Sequence, residues 1–179
     1  MLKRKETYEH LPADVINNSI HFVNNFVTLN RGTVDGVEPG MGVVTSNGVV
    51  GKVKACSENF SVAYSLLHGN MPISSELKGS GHLCTTKWDG RDYTKAKLLS
   101  LAMHIPVEMG DTVVTSGFNT VFPPNLMIGV VSKVEKQAED IFQDVEINLT
   151  TDFGNLDHLY IVKHRFATEQ DSVESVAQE

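Results

Sequence analysis

The chain states one pattern twice. Val37-Glu38-Pro39-Gly40-Met41-Gly42-Val43-Val44-Thr45-Ser46 returns as Val107-Glu108-Met109-Gly110-Asp111-Thr112-Val113-Val114-Thr115-Ser116, at a constant spacing of 70. Gly48-Val49-Val50-Gly51-Lys52-Val53 reappears as Gly129-Val130-Val131-Ser132-Lys133-Val134 at a spacing of 81, which places eleven extra residues in one loop of the second copy. A third match, Ser61 to Leu66 with Asp144 to Leu149, follows at 83. A repeat this long is no solenoid unit, so two related subdomains are expected.

The residues inside the repeat fix its type. Val145, Ile147 and Leu149 alternate with Asp144, Glu146 and Asn148, the period of a strand with one buried face. Asp35-Gly36, Pro39-Gly40 and Asn47-Gly48 supply the backbone angles of tight turns. Twelve short strands are expected: 13–17, 26–30, 42–46, 48–56, 61–67, 73–77, 81–87, 95–101, 112–116, 127–136, 144–150 and 158–163. Helix is expected only at the amino end. The fold class is all-β, and each repeat alone would be marginally stable, so the copies should pack together. The expected divisions are a helical stub over 1–12, a first β unit over 13–100, a second over 101–165, and a disordered acidic tail over 166–179. The segment from Asn70 to Leu101 can supply strands to either unit, because repeated blocks lie on both sides of it.

A net charge of −7 repels a phosphate backbone and argues against nucleic acid as a partner. No apolar run approaches the roughly 18 residues that would span a bilayer.

Tandem β units invite a test for a trypsin-like triad. Ser80 and Ser116 neighbour glycines, but neither lies in a Gly-Asp-Ser-Gly context, and both read as turn serines. His158 and His164 share a strand parity, yet six extended residues hold them about 20 Å apart, too far to share a metal. The other histidines lack ligand spacing, and Asp111 reads as a turn residue. No catalytic, cofactor-binding or metal-binding residue is expected. Cys56 and Cys84 fall in strands without a metal-binding spacing; they read as buried thiols, with a disulfide as the alternative.

One segment is unusual for a connecting loop. Gly117 to Met127 carries Phe118, Phe122, Pro123 and Pro124 where the first copy has a minimal turn. A stiff apolar loop loses little entropy on docking, so Phe118, Val121, Phe122, Pro123 and Leu126 are the candidate partner-binding residues. The competing reading has Phe118 and Phe122 folding back to plug the second unit. Recognition is expected through such apolar anchors or by addition of a strand to an exposed sheet edge.

The stretch Asn30-Arg31-Gly32-Thr33-Val34-Asp35-Gly36-Val37-Glu38-Pro39-Gly40-Met41-Gly42-Val43-Val44, with Gly48 to Val53, Phe60 and Ser65 to Leu67, resembles the extracytoplasmic region of the rod shape-determining protein MreC family. Gly110 to Gly117, Val121 to Pro123 and Ile128-Gly129 carry the resemblance through the second copy. Asn125 stands where the family usually has a glycine. The resemblance implies two six-stranded barrels of chymotrypsin-like topology without a triad, and a non-enzymatic scaffold of cell elongation at the periplasmic face of the bacterial inner membrane. It implies self-association as dimer or filament, an MreD-type membrane protein and a penicillin-binding transpeptidase as partners, and no cofactor. A small-ligand-binding barrel and a trypsin-like hydrolase are the alternatives; labelling of a serine by a fluorophosphonate would select the latter.

Overall fold

The computed structural model describes residues 7–177. Twelve strands follow in order: β1 (Tyr8–Asn18), β2 (Asn24–Leu29), β3 (Gly42–Val44), β4 (Val49–Cys56), β5 (Ser61–His68), β6 (Ile73–Leu77), β7 (Leu83–Lys87), β8 (Lys95–Leu99), β9 (Thr112–Thr115), β10 (Met127–Glu135), β11 (Asp144–Leu149) and β12 (His158–His164). One helix, α1 (Ala167–Val176), ends the described chain.

The strands close into two antiparallel barrels. Around the first the order is β1-β12-β3-β4-β5-β2; around the second it is β7-β6-β9-β10-β11-β8. The two orders match position by position when β1–β6 form one repeat and β7–β12 the other. Each repeat therefore builds five strands of its own barrel and sends its sixth strand, β6 or β12, to close the barrel of its sibling. The expected division at 100/101 does not describe this arrangement: the first barrel takes β12 from the carboxyl end, and the second begins at Ile73. Closure also leaves neither sheet with a free edge, so strand addition is not available as a binding mode.

Hydrogen bonding sets the true register of the repeat. Val43 pairs with Gly51, and Val113 with Gly129, so Gly51 corresponds to Gly129 at a spacing of 78 and not 81. The same bulge follows in both copies, after Val53 and after Val131. Four residues, 45–48, join the paired Val44 and Val49, against twelve, 115–126, between Val114 and Met127. The insertion is thus eight residues, three fewer than the sequence strings imply. The matching glycines have a steric cause: a Cβ on Gly51 would lie 1.8 Å from the Tyr64 carbonyl oxygen, and one on Gly129 2.5 Å from that of Asn148.

The third block also slips. Cys56 pairs with Ser61 and Val134 with Val145, so β5 corresponds to β11 at a spacing of 84. One residue of slip exchanges the two faces of a strand. Ser61, Ala63 and Ser65 are accordingly buried in the first barrel, where the second buries Val145 and Ile147; Val62 and Tyr64 face outward.

Both ends of the chain differ from expectation. Residues 8–12, expected as part of a helical stub, belong to β1, which pairs with β12 over seven residues. Residues 1–6 lie outside the described part. In place of a disordered tail, α1 forms from Ala167 to Val176 with no buried side chain.

Where β12 meets β1, Asp14 lies opposite His158 with 2.7 Å between Oδ1 and Nδ1. The hydrogen bond to His158 holds the Asp14 carboxyl below its usual range, and the same bond, with Asp157 nearby, raises the imidazole. A depressed carboxylate contributes stability that is lost as pH falls through its folded pKa; a raised imidazole contributes stability that is lost as pH rises through its folded pKa. The pair therefore works in the window between the two. Both groups are solvated, so its share of stability is small. Asp14→Asn should lower the His158 titration midpoint measured by NMR; an unchanged midpoint would contradict the pairing.

The cysteines sit in different barrels, Cys56 on β4 and Cys84 on β7, and both are free thiols. Cys84 is 5% exposed, and burial pushes its thiol up to about 12. The thiolate is the nucleophile. Cys84 should therefore resist a thiol reagent at pH 8 until the second barrel opens; reaction at the rate of an exposed thiol would refute this burial.

Candidate interaction surface

The expected docking loop has two different faces. Phe118 is 74% exposed, whereas Phe122 is 3% exposed and lies inside the apolar core shared by the two barrels. A methyl group added at Gly42, on β3 of the first barrel, would come within 2.5 Å of the Val121 carbonyl oxygen and 2.8 Å of the Phe122 ring. The Tyr8 hydroxyl, on β1, donates to the Phe122 carbonyl at 3.1 Å. Within the loop, the Thr115 hydroxyl donates to the Pro123 carbonyl at 2.6 Å, and Asn119 Oδ1 accepts from the Val121 amide at 3.1 Å. Val121 and Leu126 pack against the core, and Pro123 is half-buried. Of the five candidate residues, the structure buries or half-buries four as an inter-barrel clamp. Phe118 stays outside, on the rim of a hollow lined also by Tyr8, Ser116, Pro124 and His164.

Neither turn serine is set up for nucleophilic chemistry. Ser116 Oγ shares a 2.7 Å hydrogen bond with Ser74 Oγ and accepts from the Phe118 amide. Ser80 follows Gly79, whose φ of 96° marks the turn between β6 and β7.

A second surface was not legible in the sequence. Leu99, at the outward end of β8, is 42% exposed and separates two hollows that share Asp89 and Lys97. The larger, about 660 Å³, is lined by Phe142 and Gln143 before β11 and by Ser100. The smaller, about 400 Å³, reaches Trp88 and Val23, the latter 69% exposed in the β1–β2 connection of the first barrel. Phe142 is 52% exposed and Ile141 beside it 76%. The result is an apolar stripe that runs from one barrel to the other. Its charges largely neutralise each other: Lys97 Nζ sits 2.8 Å from Asp144 Oδ1 and 3.9 Å from Glu146 Oε2, on the outer face where β8 meets β11. Exposed apolar positions brought together in this way make a candidate surface for partner contact. The sequence hid it because its residues come from segments far apart in the chain.

The family model for the barrel core of rod shape-determining protein MreC matches residues 15–163. The chain belongs to the MreC family. The cell shape-determining protein MreC of Listeria monocytogenes serovar 1/2a is 30% identical over 162 residues, covering 87% of this chain and 54% of that protein. MreC of Bacillus subtilis is 27% identical over 177 residues, covering 93% of this chain and 61% of that protein. The chain thus spans little more than half the length of these MreC relatives. The Listeria MreC structure superposes with a TM-score of 0.77 at 28% identity, over 88% of this chain and 76% of that one. MreC from Pseudomonas aeruginosa gives 0.78 at 19% identity, over 86% and 98%. MreC from Helicobacter pylori, in a complex with penicillin-binding protein PBP2, gives 0.70 at 16% identity, over 88% and 99%. The last two share the fold, two closed barrels of the MreC type. Among the described residues, no helix is long and apolar enough to cross a membrane.

Proposed function

We propose that this chain is the barrel core of a non-enzymatic scaffold at the periplasmic face of the bacterial inner membrane, where it organises the peptidoglycan-synthesising machinery of cell elongation. Its partners on this reading are a penicillin-binding transpeptidase, an MreD-type membrane protein and further copies of itself. Support comes from the family match and from the Helicobacter pylori relative, which is found in a complex with a penicillin-binding protein. The observation that carries the reading for this chain is the apolar stripe at Leu99, Phe142 and Val23 on a fold that has no open sheet edge. Closed barrels must recognise partners through side-chain anchors, and such anchors dominate interface energetics when they are large and apolar.

The stripe is assigned to the transpeptidase and the Phe118 rim to self-association. The double substitution Leu99→Asp and Phe142→Asp should weaken binding to the transpeptidase of the same organism at least tenfold in a surface-immobilised titration, with the melting temperature unchanged. Unaltered affinity would remove the stripe from the proposal. Phe118→Ser should shift the sedimentation profile toward monomer while leaving transpeptidase binding intact; a profile identical to that of the native protein would remove the rim.

A further inference from the structure

The chain crosses from the first barrel to the second between β5 and β6, through the four residues 69–72. His68, the last residue of β5, is 8% exposed and packs edge-on against Phe26 and Tyr64, with ring centroids 5.3 and 5.0 Å away. Its Nδ1 accepts from the Asn70 amide at 3.0 Å. A neutral imidazole that accepts at one nitrogen carries its proton on the other, so His68 is the Nε2–H tautomer. The Met71 amide donates to the His68 carbonyl at 3.1 Å, and the two bonds together close the crossing as a tight turn.

The same turn is tied to the rim of the stripe. The Gly69 amide donates to the Val23 carbonyl at 3.2 Å, and the fully buried Asn25 donates through Nδ2 to the carbonyls of Phe22 and Leu67, each at 2.7 Å. Val23 and Gly69 both line the smaller hollow. Around the imidazole, β2 supplies Phe26 and β5 supplies Tyr64, while β4 supplies the charge that acts on it, Lys54. The Lys54 Nζ lies 5.0 Å from the centre of the Phe26 ring and 5.3 Å from that of Tyr64. Burial, and after it the Lys54 ammonium, hold the His68 imidazole below the usual histidine range.

We propose that His68 is a pH-sensitive latch on the crossing between the barrels: when its ring takes up a second proton, Nδ1 becomes a donor, the Asn70 amide is released to water, and the 68–71 turn loosens together with the Val23 rim of the smaller hollow. Protonation leaves two donors facing each other across 3.0 Å and places a second cation beside the rings that already hold Lys54. Relief requires either rotating a ring that Phe26 and Tyr64 confine or turning the Asn70 amide away. Asn70 is exposed, so the turn gives first. Asn25 holds Phe22 and Leu67 on either side, which confines the movement to the turn and its rim. A depressed imidazole contributes stability that is present above its unfolded pKa and lost as pH falls through its folded pKa, so the latch is closed at neutral pH and opens in acid. The latch does not depend on what the stripe binds.

The test is an NMR titration of the isotope-labelled full chain from neutral to acid pH. The His68 ring should report the Nε2–H tautomer at neutral pH and titrate below the ordinary histidine value of about 6.5. The Val23, Gly69 and Asn70 amides should shift with the same midpoint. Two variants separate the latch from general unfolding in acid. His68→Asn keeps a side-chain acceptor for the amide two residues on but does not titrate, so the three amides should hold still across the same range. Lys54→Met removes the neighbouring cation at an exposed position, and the His68 midpoint should rise. A His68 midpoint at or above the ordinary value, an Nδ1–H tautomer, or amide shifts that persist unchanged in His68→Asn would overturn the inference.

Discussion

Truncation of Phe122 to alanine is expected to lower the unfolding free energy by about 3–5 kcal/mol, the usual cost of deleting a buried aromatic ring. The ring is 3% exposed, belongs to the second repeat and packs toward Gly42 of the first barrel. Its loop has no counterpart in the first copy, and the contacts of Tyr8 and Thr115 with its backbone hold the ring in place. Such a domain has about 5–15 kcal/mol in total, so the loss removes about a fifth of it or more. Phe118→Ala, four residues earlier and 74% exposed, should stay within about 0.5 kcal/mol. Urea midpoints at unchanged slope measure both. A Phe122→Ala loss below about 1 kcal/mol would show that the loop is not a clamp.

A larger effect is expected at Gly51. A Cβ there would lie 1.8 Å from the Tyr64 carbonyl oxygen and 2.9 Å from its carbonyl carbon. The obstacle is the backbone of β5, a central barrel strand that cannot retreat without breaking its ladder to β2. Gly51→Ala should cost more than about 4 kcal/mol, the diagnostic tail of single substitutions, and leave little folded protein. Gly129→Ala should behave in the same way for the equivalent reason. Gly69→Ala is the control, because its nearest neighbour to an added Cβ is 3.7 Å away. Amide dispersion in a proton–nitrogen spectrum reads the outcome. A well-dispersed Gly51→Ala spectrum would contradict the register on which the repeat correspondence rests.

All twelve strands were legible in the sequence because turn residues separate short apolar runs almost everywhere. The duplication was legible too, but its register was not. The Gly-Val-Val string aligned Gly48 with Gly129, although Gly48 sits in the β3–β4 connection and it is Gly51 that occupies the close crossing of strands. Likewise the spacing of 83 set apolar Val62 against buried Val145, whereas pairing matches Val145 with Ser61, and small Ser61, Ala63 and Ser65 fill the first barrel. Local pattern carries no information on which of two related strands closes which barrel, so the exchange of β6 and β12 could not be read. The apolar residues of the candidate loop serve the seam and, of the five, leave only Phe118 outside. The Leu99–Phe142 stripe exists only once β8, the β10–β11 connection and the β1–β2 connection are brought together.

The second barrel is built from the continuous segment β6–β11, so it is the apolar core shared by the barrels, with Phe122 packed against Gly42, that makes them one cooperative unit. Native-state hydrogen exchange under increasing urea tests this most directly. The slowest amides of β1 and β4 in the first barrel and of β7 and β10 in the second should converge on one opening free energy with one urea dependence. Two separate plateaus, with either barrel persisting after the other has opened, would contradict it.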